Sequence, residues 1–145
     1  MATGQDDRIV ADGRAEDRPT GGELNAAVTR AIVAIHRRHV GRGPTRAQAF
    51  FRQNMLVSVL SEVMTQPERK LAESGRTALV AELRRELQAT MHDDLVSAVE
   101  ELTGCGVVAL LSDVHIASDT AAQVFVLDRT IHPEAVADAP SDRFR

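Results

Sequence analysis

The segment from His36 to Arg46 concentrates side chains that could bind a ligand. Its sequence, HRRHVGRGPTR, combines two histidines with four arginines around two glycines. Guanidinium groups and the backbone amides of a glycine loop suit phosphate or carboxylate groups. The candidates for binding an anion or an acidic protein are Arg37, Arg38, Arg42 and Arg46. Because the segment also ends a predicted helix, whose dipole disfavours anions there, the arginines and the loop must supply the attraction.

Two other groups have the residue types of a metal or proton-transfer site. His36 and His39 are three residues apart on one predicted helix, but the neighbouring arginines would repel a metal ion. Asp113, His115 and Asp119 lie on a predicted strand and its turn, and alternation places the first two on one side of that strand. No motif that marks a catalytic nucleophile accompanies them. We therefore predict no catalytic residue, no metal site and no cofactor.

The sequence also lacks the short motifs of the common enzyme classes. It contains no Gly-rich phosphate loop, zinc-protease helix, nucleophile elbow or dinucleotide fingerprint. The single cysteine, Cys105, lies between two glycines and has no cationic neighbour in sequence that would activate it. These absences predict that the protein is not an enzyme.

Composition indicates where the protein works. No apolar run approaches the roughly 20 residues that span a bilayer, and the N-terminal sequence is too polar for a signal peptide. One cysteine cannot form an internal disulfide, which fits a reducing compartment. We expect a cytoplasmic protein without direct membrane insertion. The absence of Trp and Tyr argues against a binder of single-stranded nucleic acid, which stacks bases on aromatic side chains.

Charge is distributed unevenly along the chain. The 145 residues carry a net charge of −4, yet no acidic residue occurs between Glu23 and Glu62. Six arginines fall in that interval: Arg30, Arg37, Arg38, Arg42, Arg46 and Arg52. Subtracting their six positive charges from −4 leaves −10 for the rest of the chain. Such an asymmetry bears on the choice of partners and on association.

The elements that must position these residues can be predicted from apolar spacing. The apolar residues within 22–39 have helical spacing, and the predicted helix ends before Gly41. Two runs rich in β-forming residues follow and predict a hairpin with its tip near Gln53 and Asn54. Thr65 and Glu68 form a capping box that starts the next helix. Its predicted apolar stripe consists of Leu71, Leu79, Leu83, Leu87 and Met91, with Val80 alongside.

Several residues in this helical region predict breaks or ends of the helix. Gly75 lies on the predicted stripe, so either the helix breaks there or another element packs closely against it. Asp93 or Asp94 is a further predicted helix start, and Gly104 is a predicted helix stop. Strands are predicted at 107–116 and 121–131.

This order predicts an α+β fold. We expect two layers, with a four-stranded, largely antiparallel sheet covered by helices on one face in the order α-β-β-α-(α)-β-β. We expect a disordered N-terminal tail at 1–20, a single domain at 21–132 and a frayed C-terminal tail at 133–145. The second sheet face is predicted to be apolar, through Val107, Leu110, Val124, Val126 and Leu127. A homodimer would cover it.

Several segments together resemble one bacterial family. They are HVGRGP, LSEVMTQPERKLAESGR, LRREL, VEELTGCGVVALLSDV and VFVLD, between about residues 22 and 128. In this order they resemble the MpsC family, named for a Na⁺-translocating system that generates membrane potential. The resemblance implies an accessory component, associated with a membrane transporter subunit. It transfers no catalytic or cofactor residue.

Sequence alone therefore predicts a non-enzymatic, cytoplasmic interaction module. It would act as a homodimer whose arginine-rich surface meets an acidic protein or a small anion. The alternative is a KH-like nucleic-acid-binding module, because a helix, a hairpin and further helices precede a strand in the same order. The missing G-x-x-G loop and the acidic total argue against nucleic acid as a partner. A metal-dependent enzyme using Asp113, His115 and Asp119 is the remaining reading.

Overall fold

The computed structural model describes residues 21–131 and contains three helices and four strands in that range. In chain order the elements are α1 (Gly21–Val40), β1 (Arg46–Arg52), β2 (Met55–Ser61), α2 (Gln66–Glu73), α3 (Thr77–Thr103), β3 (Val107–His115) and β4 (Thr120–Leu127). This order confirms the predicted α+β class, with two helices between the strand pairs. The two predicted tails lie outside the described residues.

The strands form one antiparallel sheet in the order β1-β2-β4-β3. Each predicted strand pair is present, and β2 pairs with β4 to join them. The register aligns Phe50, Val57, Val124 and Leu111 in one row across all four strands. The hairpin of β1 and β2 turns where predicted, with Gln53 at a left-handed φ of 55°. β1 and β3 are therefore the two edge strands.

The helices cover one face of the sheet. α1 and α3 pack against each other over this face, and α1 also contacts β1 while α3 contacts β3. The side chains that fill the space between the layers are Val28, Ile32, Phe51, Leu56, Leu60, Met91, Leu95, Val99 and Phe125. Each fully buried apolar side chain of this size contributes about 1.5–3 kcal/mol of hydrophobic stabilisation. The core therefore lies between the helices and one sheet face.

We call the second face of the sheet, which carries Val57, Val124 and Leu111, the open face. Residues on β2 and β4 alternate between buried positions under the helices and half-buried positions on the open face. Three residues predicted for this second face, Val107, Leu110 and Leu127, pack against the helix-side core instead. Strand alternation is the reason, because Leu127 and Leu110 cannot share a face with Val126 and Leu111.

α2 and α3 are separate helices because the chain turns at Gly75, which has a left-handed φ of 87°. α3 then runs without interruption from Thr77 to Thr103, so the predicted helix start at Asp93 or Asp94 is wrong. The predicted stop is confirmed, since Gly104 takes a left-handed φ of 73° at the C-cap.

The buried stripe of α3 differs from the predicted one. Leu79 and Leu83 are 43% and 41% exposed, whereas Val80, Arg84 and Met91 are buried. A spacing of four residues drifts by about 40° per step on an α-helix, so Leu79 and Met91 are about 120° apart around the axis. The helix therefore buries the face that contains Val80 and leaves Leu79 and Leu83 exposed.

His36 belongs to the core rather than to the surface of α1. It is 4% exposed, and its Nδ1 atom donates to the carbonyl oxygen of Ile32 at 3.0 Å. Burial lowers the pKa of His36 below its ordinary 6.5; the bond to Ile32 opposes this, and the positive charges of Arg84 and His39 lower it further. The fold therefore favours the neutral form of this imidazole.

We predict that the stability of the protein falls between about pH 7.5 and about pH 5.5, because the unfolded chain binds the His36 proton near its ordinary pKa and the folded chain does not. The stabilisation is complete above the unfolded pKa and decreases as the pH falls through it. Urea unfolding at both pH values measures the effect. His36→Leu should flatten the difference, and the exposed control His92→Leu should retain it. An unchanged slope in His36→Leu would contradict the assignment.

Candidate functional site

The structure places the candidate arginines in different surroundings. Arg38 on α1 pairs with Asp94 on α3 at 3.0 Å, and Arg46 lies at the start of β1 on the open face. Arg37 is exposed near the end of α1, and a Cβ atom at Gly43 would lie only 3.1 Å from its Nη2 atom. A glycine at that position therefore gives the Arg37 guanidinium room beside the loop.

Arg42 holds the backbone between β2 and α2, residues 62–65, which we call the connector. Its Nη1 atom donates to the carbonyl oxygens of Glu62, at 2.8 Å, and Met64, at 2.6 Å. Glu62 has a left-handed φ of 59°, so the chain bends sharply as it leaves β2. Among the described residues, Arg42 makes no other side-chain hydrogen bond, and its remaining donors are available to a ligand.

Asp119 holds the same connector from the β3–β4 turn. Its Oδ1 atom accepts from the backbone N–H groups of Val63, at 2.9 Å, and Met64, at 3.0 Å. Its Oδ2 atom lies 3.5 Å from Nε of Arg69. Sequence spacing grouped Asp119 with Asp113 and His115, but the structure turns its carboxylate towards the backbone of the connector.

Asp113 and His115 lie on one side of β3, as predicted, and both are exposed on the open face. His115 Nδ1 forms a hydrogen bond with Ser118 Oγ at 2.8 Å. Within residues 21–131, no group of three or more His, Cys, Asp or Glu side chains lies close enough to hold a metal ion. The three residues of the predicted spacing therefore do not converge on one point.

The histidines of α1 also have separate partners. His36 bonds to its own helix in the core, while Nε2 of His39 donates to Oδ2 of Asp94 at 2.8 Å. Hydrogen bonds from His39 and Arg38 lower the pKa of the exposed Asp94 carboxyl. His36 and His39 therefore have separate partners and do not converge on a common ligand. Cys105 is buried, and its N–H donates to Thr103 Oγ1 in the turn after α3.

A buried ion pair underlies the connector. Nε of Arg84 donates to Oε2 of Glu68 and Nη2 donates to Oε1, both at 2.8 Å, and each side chain is 3% exposed. Nη2 also donates to the carbonyl oxygen of Val63 at 2.6 Å. Glu68 in turn accepts from the N–H of Thr65 at 2.7 Å, which confirms the predicted capping box.

The fold favours the ionised form of the Glu68 carboxyl. Burial by itself would raise the pKa of the Glu68 carboxyl, but the hydrogen bonds from Arg84 and Thr65 and the charge of Arg84 outweigh burial and lower it. The apolar stripe predicted for this helix does not include Arg84. The available signal was its position four residues after Val80, on the face that α3 buries.

A groove of about 510 Å³ lies beside the connector. The residues that line it are Arg42, Met64, Gln66, Arg69, Lys70 and Glu73. Three cations face one carboxylate, so the groove has a formal charge of +2. Arg69 is partly neutralised by Asp119, while Lys70 is exposed and makes no ion pair among the described residues. This arrangement can bind carboxylate or phosphate groups by charge and hydrogen bonding.

We predict that Arg84→Met destabilises the protein by about 3–5 kcal/mol, because it leaves the Glu68 carboxylate buried without its partner. The neighbouring control, Arg85→Met, removes an exposed arginine from the same helix and should change stability by no more than about 0.5 kcal/mol. Urea unfolding measures both. Replacing Arg84 and Glu68 together with Met should cost less than Arg84→Met alone. Equal losses for Arg84→Met and Arg85→Met would refute the role of the pair.

Comparison with known proteins now places the chain. Residues 20–129 match the family model described as "Na+-translocating membrane potential-generating system (MpsC)". The chain is also 33% identical over 99 residues to the uncharacterized protein YrhF of Bacillus subtilis (strain 168), an alignment that covers 67% of this chain and 81% of YrhF. No solved structure matches the chain. The segments that form the connector and its contacts lie within the matched range, and the chain belongs to the MpsC family.

Proposed function

We propose that this protein is a non-enzymatic accessory module of a Na⁺-translocating, membrane-potential-generating system. In this proposal it works in the cytoplasm as a homodimer, and its basic groove binds an acidic segment of a protein partner such as a transporter subunit. The observation that carries the proposal is the groove's formal charge of +2 beside a rigidly held connector. The family description supports the link to a membrane system. Within residues 21–131, no helix is long and apolar enough to cross a bilayer.

The fixed geometry of the groove supports a binding role. Side chains from three separate elements hold the connector backbone: Arg42 precedes β1, Asp119 follows β3, and Arg84 lies on α3. Met64 in the groove wall is therefore already in place before a ligand arrives. A preorganised site loses less conformational entropy on binding than a mobile one.

The use of the polar residues supports a non-enzymatic role. The groove lining contains no His, Cys or Ser that could act as a nucleophile or proton carrier. The chemically versatile residues elsewhere have structural partners, as His36 does in the core and Asp119 does at the connector. The excess of cations in the groove favours recognition of negative charge.

Nucleic acid is the other polyanion that a basic groove attracts. The turn between α2 and α3 contains Gly75 but no second glycine three residues away, so it lacks the G-x-x-G loop with which KH modules clamp a backbone. We therefore favour an acidic protein and treat nucleic acid as an outcome of the test.

We predict that a fluorescently labelled peptide rich in Asp and Glu binds the protein at low ionic strength and dissociates as salt is added. Lys70→Glu should weaken binding by about tenfold, because it brings the formal charge of the groove to zero. Arg85→Glu is the matched control, since it reverses an exposed charge on α3 that does not line the groove. Fluorescence anisotropy over a salt series measures both. We keep Arg42 unchanged because it also supports the connector.

The same assay with labelled RNA and duplex DNA separates the alternatives. Tighter binding of either nucleic acid than of the acidic peptide, with the same loss in Lys70→Glu, would replace the proposed partner class. Equal peptide affinity in Lys70→Glu and Arg85→Glu would remove the groove as the binding site. Capture of a membrane subunit by the wild-type protein and not by Lys70→Glu would extend the peptide result to the cell.

A further inference from the structure

The open face has the character of a surface that another sheet covers. Its central row contains Val57 and Val124 on the inner strands, and the exposed edge residue of this row, Leu111, is 61% exposed. Val108, beside the irregularity at the start of β3, is 68% exposed. Exposed, contiguous apolar surface on a sheet indicates an interaction site.

Charges on this face separate between the two edges. The β1 edge carries the exposed residues Arg46 and Arg52, while the β3 edge carries the exposed Asp113 and His115. The apolar rows lie between these edges. One edge is thus basic and the other contains a carboxylate. The charges of two copies can therefore be complementary when the copies pack face to face.

Two face-to-face arrangements have two-fold symmetry with strands aligned. An axis parallel to the strands lays β1 of one copy over β3 of the other, so that Val57 lies over Val124 and Arg46 lies over His115, one residue pair along the strand from Asp113. An axis across the strands lays β1 over β1 and sets Arg46 against Arg52. Like charges brought together at an interface disfavour it, so the charge pattern selects the parallel axis.

The size of the face fits a small but specific interface. Four strands at about 4.8 Å spacing and seven residues at about 3.4 Å rise give a face of about 450 Å² per copy, or about 900 Å² for two copies. Side-chain relief increases this flat area towards the roughly 1,000 Å² that a biological interface needs. A second copy of the same chain is therefore large enough to bury the apolar centre of the face.

We infer that two copies of this chain pack their open faces together about a two-fold axis parallel to the strands, with Arg46 of one copy over His115 of the other and its guanidinium extended towards the neighbouring Asp113. This inference rests on the homodimer in the proposed function and specifies its interface. Arg46, one of the arginines that the sequence grouped as an anion site, thereby has a carboxylate partner from a second copy.

Sedimentation velocity of the full chain over a concentration series tests the interface. Leu111→Glu should weaken the dimer by about tenfold or more, because it places a charge in the apolar centre of the interface. Leu83→Glu, at a comparably exposed leucine on α3, is the matched control and should leave the dimer unchanged. Both positions are exposed in the single chain, so unfolding curves of the two variants should resemble that of the wild type.

A charge exchange tests the axis. Arg46→Glu and Asp113→Arg should each weaken the dimer, and the double variant should restore it, because attraction returns with its direction reversed. With the axis across the strands, Arg46→Glu would instead strengthen the dimer by pairing with Arg52. A stronger dimer in Arg46→Glu, or a double variant that dimerises no more tightly than the single variants, would overturn the inferred geometry.

The remaining outcomes are also decisive. A dimer that Leu111→Glu leaves intact would overturn the interface while leaving the homodimer. A chain that stays monomeric at every concentration would overturn both, and destabilisation of that monomer by Leu111→Glu would point to residues 1–20 or 132–145 as the cover of the face. Peptide binding by the groove is measured separately and is independent of these results.

Discussion

The ion pair between Arg84 and Glu68 is the interaction on which the arrangement of this protein depends. Two buried charges are stable only when each hydrogen-bonding group has a partner, because desolvation otherwise exceeds the attraction between them. Here the arginine fork meets both carboxylate oxygens and the carbonyl of Val63, and the carboxylate also accepts from Thr65. The pair therefore fixes α2 against α3 and, through two backbone groups, fixes the connector against both helices.

The connector in turn links the helix layer to the sheet. Arg42 and Asp119 bind its carbonyl and amide groups from two other loops, so its backbone conformation is set from several directions. The connector begins where β2 ends, after Ser61. Because Ser61 pairs with residues of both β1 and β4, this point lies at one end of the sheet. The groove thus lies beside a backbone segment that side chains from three elements hold by hydrogen bonds.

Local signals in the sequence were sufficient for the class of fold and for most element ends. The capping box at Thr65, the stop at Gly104 and the hairpin tip at Gln53 each depend on residues within a few positions of one another. The pairing of β2 with β4, the burial of Arg84 and the contact of Asp119 with the connector depend on residues far apart in sequence. A charged residue in a helical segment is expected to face solvent unless its distant partner is known, which is why the predicted apolar stripe does not include Arg84.

The same limit explains why the charge count alone could not define a site. Six arginines between two acidic residues suggested one basic surface, but the fold sends Arg42 to the groove, Arg46 to the open face and Arg38 to an ion pair with Asp94. None of the residues that line the groove belongs to a strand, so the groove and the open face share no residue. A dimer formed through the open faces would leave two grooves accessible, and two linked grooves would bind a partner with repeated acidic segments more tightly than one.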